Sequence, residues 1–137
     1  MKKKLVLTLL LLLIPVILIL IIFNIITQEG IDIKLKNQTN QEITGLYVTY
    51  NEIKSDVKIP SLKPGERYKL NISDEKNSND NFSEGALLIE YKDKNGDIHT
   101  DYIAGYIQIG FSGYASIKIK DIDETGKLKM EIKDFTY

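Results

Sequence analysis

The sequence predicts an all-β domain, an antiparallel β-sandwich, preceded by one N-terminal transmembrane helix. Three observations predict it. Between Leu5 and Ile26 nearly every residue is Leu, Ile, Val or Phe, the exceptions being Thr8, Pro15 and Asn24. From Ile31 onward apolar residues recur at every second position, the period of a half-buried strand. Turn signals built on Asn-Gly, Pro-Gly and Thr-Gly separate these runs. A chain of 137 residues holds one ordinary domain and at most one appendage, so residues 1–29 are read as cytoplasmic lysines and anchor, and residues 30–137 as an extracytoplasmic domain.

The apolar segment comes first. Its roughly 22 residues at ~1.5 Å each give ~33 Å, enough to cross a hydrocarbon core of ~30 Å. Pro15 removes one backbone donor, which membrane helices tolerate. Lys2, Lys3 and Lys4 precede the segment, whereas Thr27, Gln28 and Glu29 follow it. Positive flanks stay in the cytoplasm, so the expected location is the cell membrane, single-pass, with the N-terminus inside and the domain outside. The rival is a cleaved signal peptide. Its apolar stretch would run ~7–15 residues and end on small residues; here the stretch is longer and ends Asn24-Ile25-Ile26-Thr27-Gln28-Glu29. With no cysteine in the chain, neither a lipid-modified cysteine nor a disulfide is available, and the domain is held by its core.

The charge of the domain excludes two classes of partner. Without Lys2, Lys3 and Lys4 the basic count falls from 18 to 15 against 19 acidic residues, a net charge of −4. That offers no basic footprint for nucleic acid and no polybasic patch for anionic lipid. The mixed charges read as solvated strand faces.

Eight strands follow in order. Ile31, Ile33 and Leu35 alternate with polar residues, as do Leu46, Val48 and Tyr50. Val57 and Ile59 make a short strand ended by Pro60; Tyr68, Leu70 and Ile72 make the next, and Leu87, Ile89 and Tyr91 another. Ile98, Thr100 and Tyr102 share one face, then Ile103, Ile107 and Ile109 share the other, so a bulge near Ala104-Gly105 or a change of sheet is expected there. Ile117 and Ile119, then Leu128, Met130 and Ile132, complete the set. Between the strands, Asn95-Gly96 suggests a type I′ hairpin, Pro64-Gly65 a type II turn, and Glu124-Thr125-Gly126 a further hairpin. The Asn/Ser/Asp-rich stretch from Ser73 to Ser83 reads as a long, exposed, mobile loop. Strands of this number and spacing favour a sandwich, with a small barrel second.

Several of these motifs occur together in a known setting. Lys36-Asn37-Gln38-Thr39-Asn40, Leu46-Tyr47-Val48-Thr49-Tyr50, Ile59-Pro60-Ser61-Leu62-Lys63-Pro64-Gly65-Glu66 and Tyr68-Lys69-Leu70 resemble the first half of immunoglobulin-like modules of bacterial surface proteins. Those modules carry an Asn-containing turn after the first strand and a Leu-x-Pro-Gly-Glu corner before a middle strand. The whole chain is also similar to small uncharacterised membrane-anchored proteins of Gram-positive bacteria. The resemblance implies an immunoglobulin-like β-sandwich and transfers no active site.

Catalytic and metal signals are sparse. His99, the single histidine, lies beside Asp101, and Ser112 sits in Gly110-Phe111-Ser112-Gly113 without a following helix. A Ser112–His99–Asp101 triad would need a coincidence of folding, and His99 reads as an exposed strand residue. Asp93, Asn95 and Asp97 alternate as calcium ligands do, but Gly96 is misplaced for a calcium loop; Asp121-Ile122-Asp123-Glu124-Thr125-Gly126 places glycine sixth yet has Ile132 where the closing carboxylate belongs. Neither catalytic residues nor a metal or other cofactor are expected.

One segment remains, Gly105-Tyr106-Ile107-Gln108-Ile109-Gly110-Phe111-Ser112-Gly113-Tyr114, with three glycines and three of the aromatics spaced through ten residues. It reads either as a strand, a tight turn and core aromatics, or as a recognition loop in which Tyr106, Phe111 and Tyr114 supply contact area, extended by Tyr47. The function expected is a noncatalytic binding or accessory module on the outer membrane face, a subunit of an envelope complex or an immunity-type protein, with a protein partner. The alternative is a surface enzyme with an unrecognised site.

Overall fold

A computed structural model describes every residue except Met1 and Thr27; within the first helix the side chains described are those of Val6 and residues 10–23. That helix, α1, spans Lys2–Ile26 and continues through Pro15. From Leu5 onward it is apolar except at Thr8, Pro15 and Asn24, and every described side chain from Leu10 to Phe23 is exposed. Among the described residues no helix is long and apolar enough to cross a membrane; the expected span, Leu5 to Ile26, extends past the described side chains at both ends.

Strands β1 (Gly30–Asn37), β2 (Tyr47–Thr49), β3 (Val57–Lys58), β4 (Arg67–Ile72), β5 (Glu84–Lys92), β6 (Ile98–Gln108), β7 (Ser112–Ile122) and β8 (Leu128–Thr136) follow, with one short helix, α2 (Asp74–Asn77), between β4 and β5. They form two four-stranded sheets in the orders β4-β1-β7-β8 and β3-β2-β5-β6. All pairings are antiparallel except β1 with β7, where Gly30 lies beside Ser112 and Asn37 beside Ile119. Alternation sets which face is inward. Ile31, Ile33 and Leu35 on β1, and Ala115, Ile117 and Ile119 on β7, pack toward Val48, Leu87, Ile89, Ile103 and Ile107 of the other sheet, all within one buried cluster. Their polar alternates face out. On the outer face of β7 and β8, Glu131 lies 3.6, 3.2 and 3.5 Å from Lys118, Lys120 and Lys133. The Lys120 ammonium first, and then its lysine neighbours, hold the Glu131 carboxyl below its ordinary range.

Of the two alternatives for the phase change in β6 the bulge is the one formed, and two further features differ from the sequence expectation. β6 stays with β5 along its whole length and resets its phase by bulging. Leu88 pairs with Tyr102 but Leu87 with Ala104, so Ile103 is the added residue, and a second irregularity follows before Gly85 and Ile107. Ile103 and Ala104 are thus both buried, while Ile109, expected on one face with Ile103 and Ile107, is exposed. The turn at Asn95-Gly96 is not type I′, because Gly96 has φ +88° and Asn95 has no positive φ. Asp93 instead accepts the Asn95 and Asp97 amides at 2.8 and 3.0 Å and draws the turn into a three-residue loop with a glycine bulge. Finally, Ser73 to Ser83 is strapped down: Ser73, Ser78 and Phe82 are buried, Lys54 and Asn79 amides bond to Asn77 and Glu52 carbonyls at 2.7 Å each, and Ser78 Oγ meets Tyr50 Oη at 2.9 Å. The type II turn at Pro64-Gly65 matches expectation, with Gly65 at φ +80° and the Glu66 amide bonded to Lys63 O at 3.0 Å.

The two ends of the sandwich are distinct. At the proximal end α1 joins β1: Gln28 Nε2 donates to Gly113 O at 2.8 Å and Asn71 Nδ2 to Glu29 O at 3.0 Å. At the distal end lie the β5–β6 and β7–β8 turns, joined by a bond of 2.9 Å from the Lys94 amide to Thr125 O.

Candidate functional site

The Gly105–Tyr114 segment spans the proximal end, where β6 stops and β7 starts. Its turn is tight because Gly110 takes φ +77°, which lets the Phe111 amide reach Gln108 O at 2.9 Å. The Ile109 amide bonds to Ser83 O at 3.1 Å, and the Gly110 amide to the Asp74 carboxylate at 2.7 Å. The tip is therefore held from two sides, with the Ile109 side chain 64% exposed upon it.

The four candidate residues do not converge. Phe111 is only 2% exposed. Its ring meets those of Tyr50 and Phe82 edge-on, with centroids 6.1 and 6.0 Å away, and Tyr50 and Phe82 are 5.3 Å apart. Phe111 is thus a core residue and cannot be a recognition residue: the Gly110 turn ends by directing it inward, and burial against two rings stabilises that direction. Tyr106 stays exposed, its hydroxyl 2.9 Å from the Glu84 carboxylate, which raises its pKa. Tyr114 is exposed on the outer face of the other sheet, opposite Phe135. Tyr47 lies toward the distal end, between Lys58 and Glu90.

Sequence reasoning missed three residues of the proximal surface. Phe135 is 70% exposed, Tyr137 is exposed, and their rings lie 5.8 Å apart; Ile109 is the third. The Phe135-Thr136-Tyr137 run carried the signal, because alternation after Ile132 puts Phe135 of β8 and Tyr137, just past its end, on one face. Near the distal end a cleft of about 570 Å³ is lined by Thr44, Gly45, Tyr47, Glu90, Tyr91 and Ile98, among others. Ile98, 63% exposed, forms part of its rim.

His99 is not the solvent-facing residue expected. Its Nε2 lies 3.0 Å from Asp93 Oδ2, and its ring stacks on Tyr91 at 5.2 Å. This contact with His99 is the main cause of a lowered Asp93 pKa, with the Asp97 and Asn95 amides adding to it. Tyr91 is buried, which pushes its phenol up, and its hydroxyl accepts the Leu128 amide at 2.9 Å, tying the two sheets together. Ser112 stands at the opposite end of the sandwich, its backbone paired with Tyr137, so Ser112, His99 and Asp101 do not form a triad. Among the described residues no three His, Cys, Asp or Glu side chains are grouped to hold a metal ion. Asp123 turns its carboxylate onto its own hairpin, accepting from Thr125 Oγ1 at 2.6 Å and from the Thr125 and Lys127 amides at 2.9 and 3.0 Å.

No family model matches the chain, and no curated protein matches it. A solved structure, the NMR structure of the protein from Eubacterium rectale, is similar over 77% of this chain and 89% of that one, at 16% identity and a TM-score of 0.43, a likeness that carries no argument.

Proposed function

We propose that this protein is a noncatalytic binding or accessory module, held on the outer face of the cytoplasmic membrane by α1, with a protein partner at the cell envelope. The observation that carries the reading is α1 itself. Its described side chains from Leu10 to Phe23 are all exposed, an apolar surface far beyond what monomeric soluble proteins leave uncovered. A bilayer is the cover that suits a helix apolar on every side. Lys2, Lys3 and Lys4 at its start orient the sandwich outward. In this setting the module serves an envelope complex as a subunit or blocks an incoming toxin as an immunity-type protein.

The sandwich is further read as immunoglobulin-like. Antiparallel β1–β4 and β2–β5–β6 correspond to the B–E and C–F–G pairings of that fold and support the reading. The parallel β1–β7 pair is a departure, because β7 occupies the side of β1 where the first strand of such a fold would lie. The partner-facing surface is assigned to the distal cleft around Tyr47 and Ile98.

Protease added to intact protoplasts is expected to digest the sandwich and leave a small anchor fragment; full protection would overturn the orientation. Replacing Lys2, Lys3 and Lys4 with Glu should scramble the topology. Tyr47→Ala with Ile98→Ser should shift stability by no more than ~0.5 kcal/mol. The same pair should abolish retention of the protein that copurifies with the wild type from detergent-solubilised membranes. Unchanged retention would remove the cleft from the reading.

A further inference from the structure

We infer that the proximal end of the sandwich rests on the lipid interface of the outer leaflet, with Ile109 dipping toward the acyl chains and Tyr106, Tyr114, Phe135 and Tyr137 around it at headgroup level. This rests on the reading of α1 as an anchor. All five side chains are exposed, and the fold gathers them at one end. Ile109 lies three residues before Ser112, which pairs with both Gly30 and Tyr137. Tyr114 and Phe135 are two register steps further along β7 and β8.

The route of the chain sets the distance. Gly30 follows Ile26 by four residues, so even fully extended chain holds β1 within ~14 Å of the end of the helix. The Gln28 side chain bonded to Gly113 O and the Asn71 side chain bonded to Glu29 O draw the connection in rather than letting it run out. The headgroup layer on each side of a bilayer is ~5–8 Å thick. A helix ending at the hydrocarbon boundary therefore delivers this end of the sandwich to the headgroups. Neighbouring strands are ~4.8 Å apart, so β8, with Phe135 on it and Tyr137 just past its end, stands only ~10 Å to one side of the point of entry. The residue types fit the place, because tyrosine rings with apolar bodies and polar tips collect at membrane interfaces. The tip carrying Ile109 is fixed by Ser83 and Asp74, so its insertion costs little ordering entropy.

The chain contains no tryptophan, so single tryptophans report cleanly. Full-length Ile109→Trp and Ile98→Trp proteins are placed in phosphatidylcholine nanodiscs containing lipid brominated high on its acyl chain. Ile98 is the control, equally exposed but at the distal end, and Phe135→Trp is a second proximal reporter should Ile109→Trp fold poorly. Tryptophan at 109 should emit at shorter wavelength and lose about half its emission to the brominated lipid, while tryptophan at 98 is unaffected. If neither is quenched although the protein travels with the nanodisc, the interface proposal falls and the anchor stands. Equal quenching at both positions would mean that the domain lies on its side, which also overturns it. Protection of position 109 from aqueous iodide without quenching by brominated lipid would assign this surface to a protein or a second copy instead. Separation of the protein from the nanodisc would remove both the anchor and the docking.

Discussion

The two ends of the sandwich are built by different means. At the distal end two hairpins repeat one local design. Asp93 and Asp123 each turn a carboxylate back on the amides two and four residues ahead, and Gly96 and Gly126, at φ +88° and +90°, donate their amides to the carbonyls of Asp93 and Asp123 at 3.1 and 3.0 Å. Everything such a turn needs lies within five residues. The proximal end depends on partners far apart in sequence: Phe111 packs on Tyr50 and Phe82, Gly110 is held by Asp74, and Gln28 reaches Gly113. A local polar design tolerates water, whereas an assembly of rings must be closed from all sides. The proximal end closes one set of rings inward and leaves another facing out.

The largest test of that contrast is Phe111→Ala set against Tyr114→Ala. The first opens a cavity between Tyr50 and Phe82 and should cost ~3–5 kcal/mol in chemical denaturation. The second removes an exposed ring and should cost no more than ~0.5 kcal/mol. A loss below about 1 kcal/mol for Phe111→Ala would mean that the aromatic cluster does not hold the proximal end.

A smaller difference is expected between two glycines. Gly113 has φ +142°, and a Cβ there would run into the Phe135 carbonyl of the neighbouring strand. Gly96 also has positive φ but faces open space. Gly96→Ala therefore carries only a backbone cost of ~1–2 kcal/mol. Gly113→Ala adds displacement of β8 to its own backbone strain and should exceed it. Thermal melts of the two variants decide this, and a Gly113→Ala protein as stable as Gly96→Ala would show that β8 moves aside freely.

The same contrast explains what was legible in the sequence. Period two gave all eight strands, since Ile31, Ile33 and Leu35 can be buried together only on one face of a strand. Pro64-Gly65 announced its turn because only glycine takes φ +80° cheaply. Asn95-Gly96 taken as a pair suggests type I′, but the Asp93 side chain, two residues before Asn95, competes for the amides and wins. Ser73 to Ser83 read as loop because its polar letters have local meaning, while the bonds that bury Ser78 come from Tyr50. The Gly/aromatic segment could not be resolved from its letters. Tyr106, Phe111 and Tyr114 are alike in sequence, and only the Gly110 turn and the second bulge in β6 decide that Phe111 alone points inward.

The smallest effect is a pH response confined to the distal end. The Asp93 carboxyl is held low, first by His99 and then by the Asp97 and Asn95 amides. The Asp123 carboxyl is held low first by the Thr125 hydroxyl and then by the Lys127 amide. In the unfolded chain both return to ~3.9. A group whose folded value is depressed contributes its stability in full above the unfolded value. That contribution fades as pH falls below ~4 and is gone once the folded value is passed. Each carboxylate accepts from its own hairpin, Asp93 from His99 as well, so the loss is local rather than a global unfolding. The amides of Asn95, Asp97, Thr125 and Lys127 should therefore shift together and lose hydrogen-exchange protection as pH falls from ~5 to ~2. The backbone around Phe111, held by packing, should change later. Asp93→Asn with Asp123→Asn keeps an acceptor in each turn but removes the titration, so this early step should vanish. Flat amide shifts at Asn95 and Thr125 across that range, or an early response at Phe111 instead, would show that the carboxylates do not organise the distal turns.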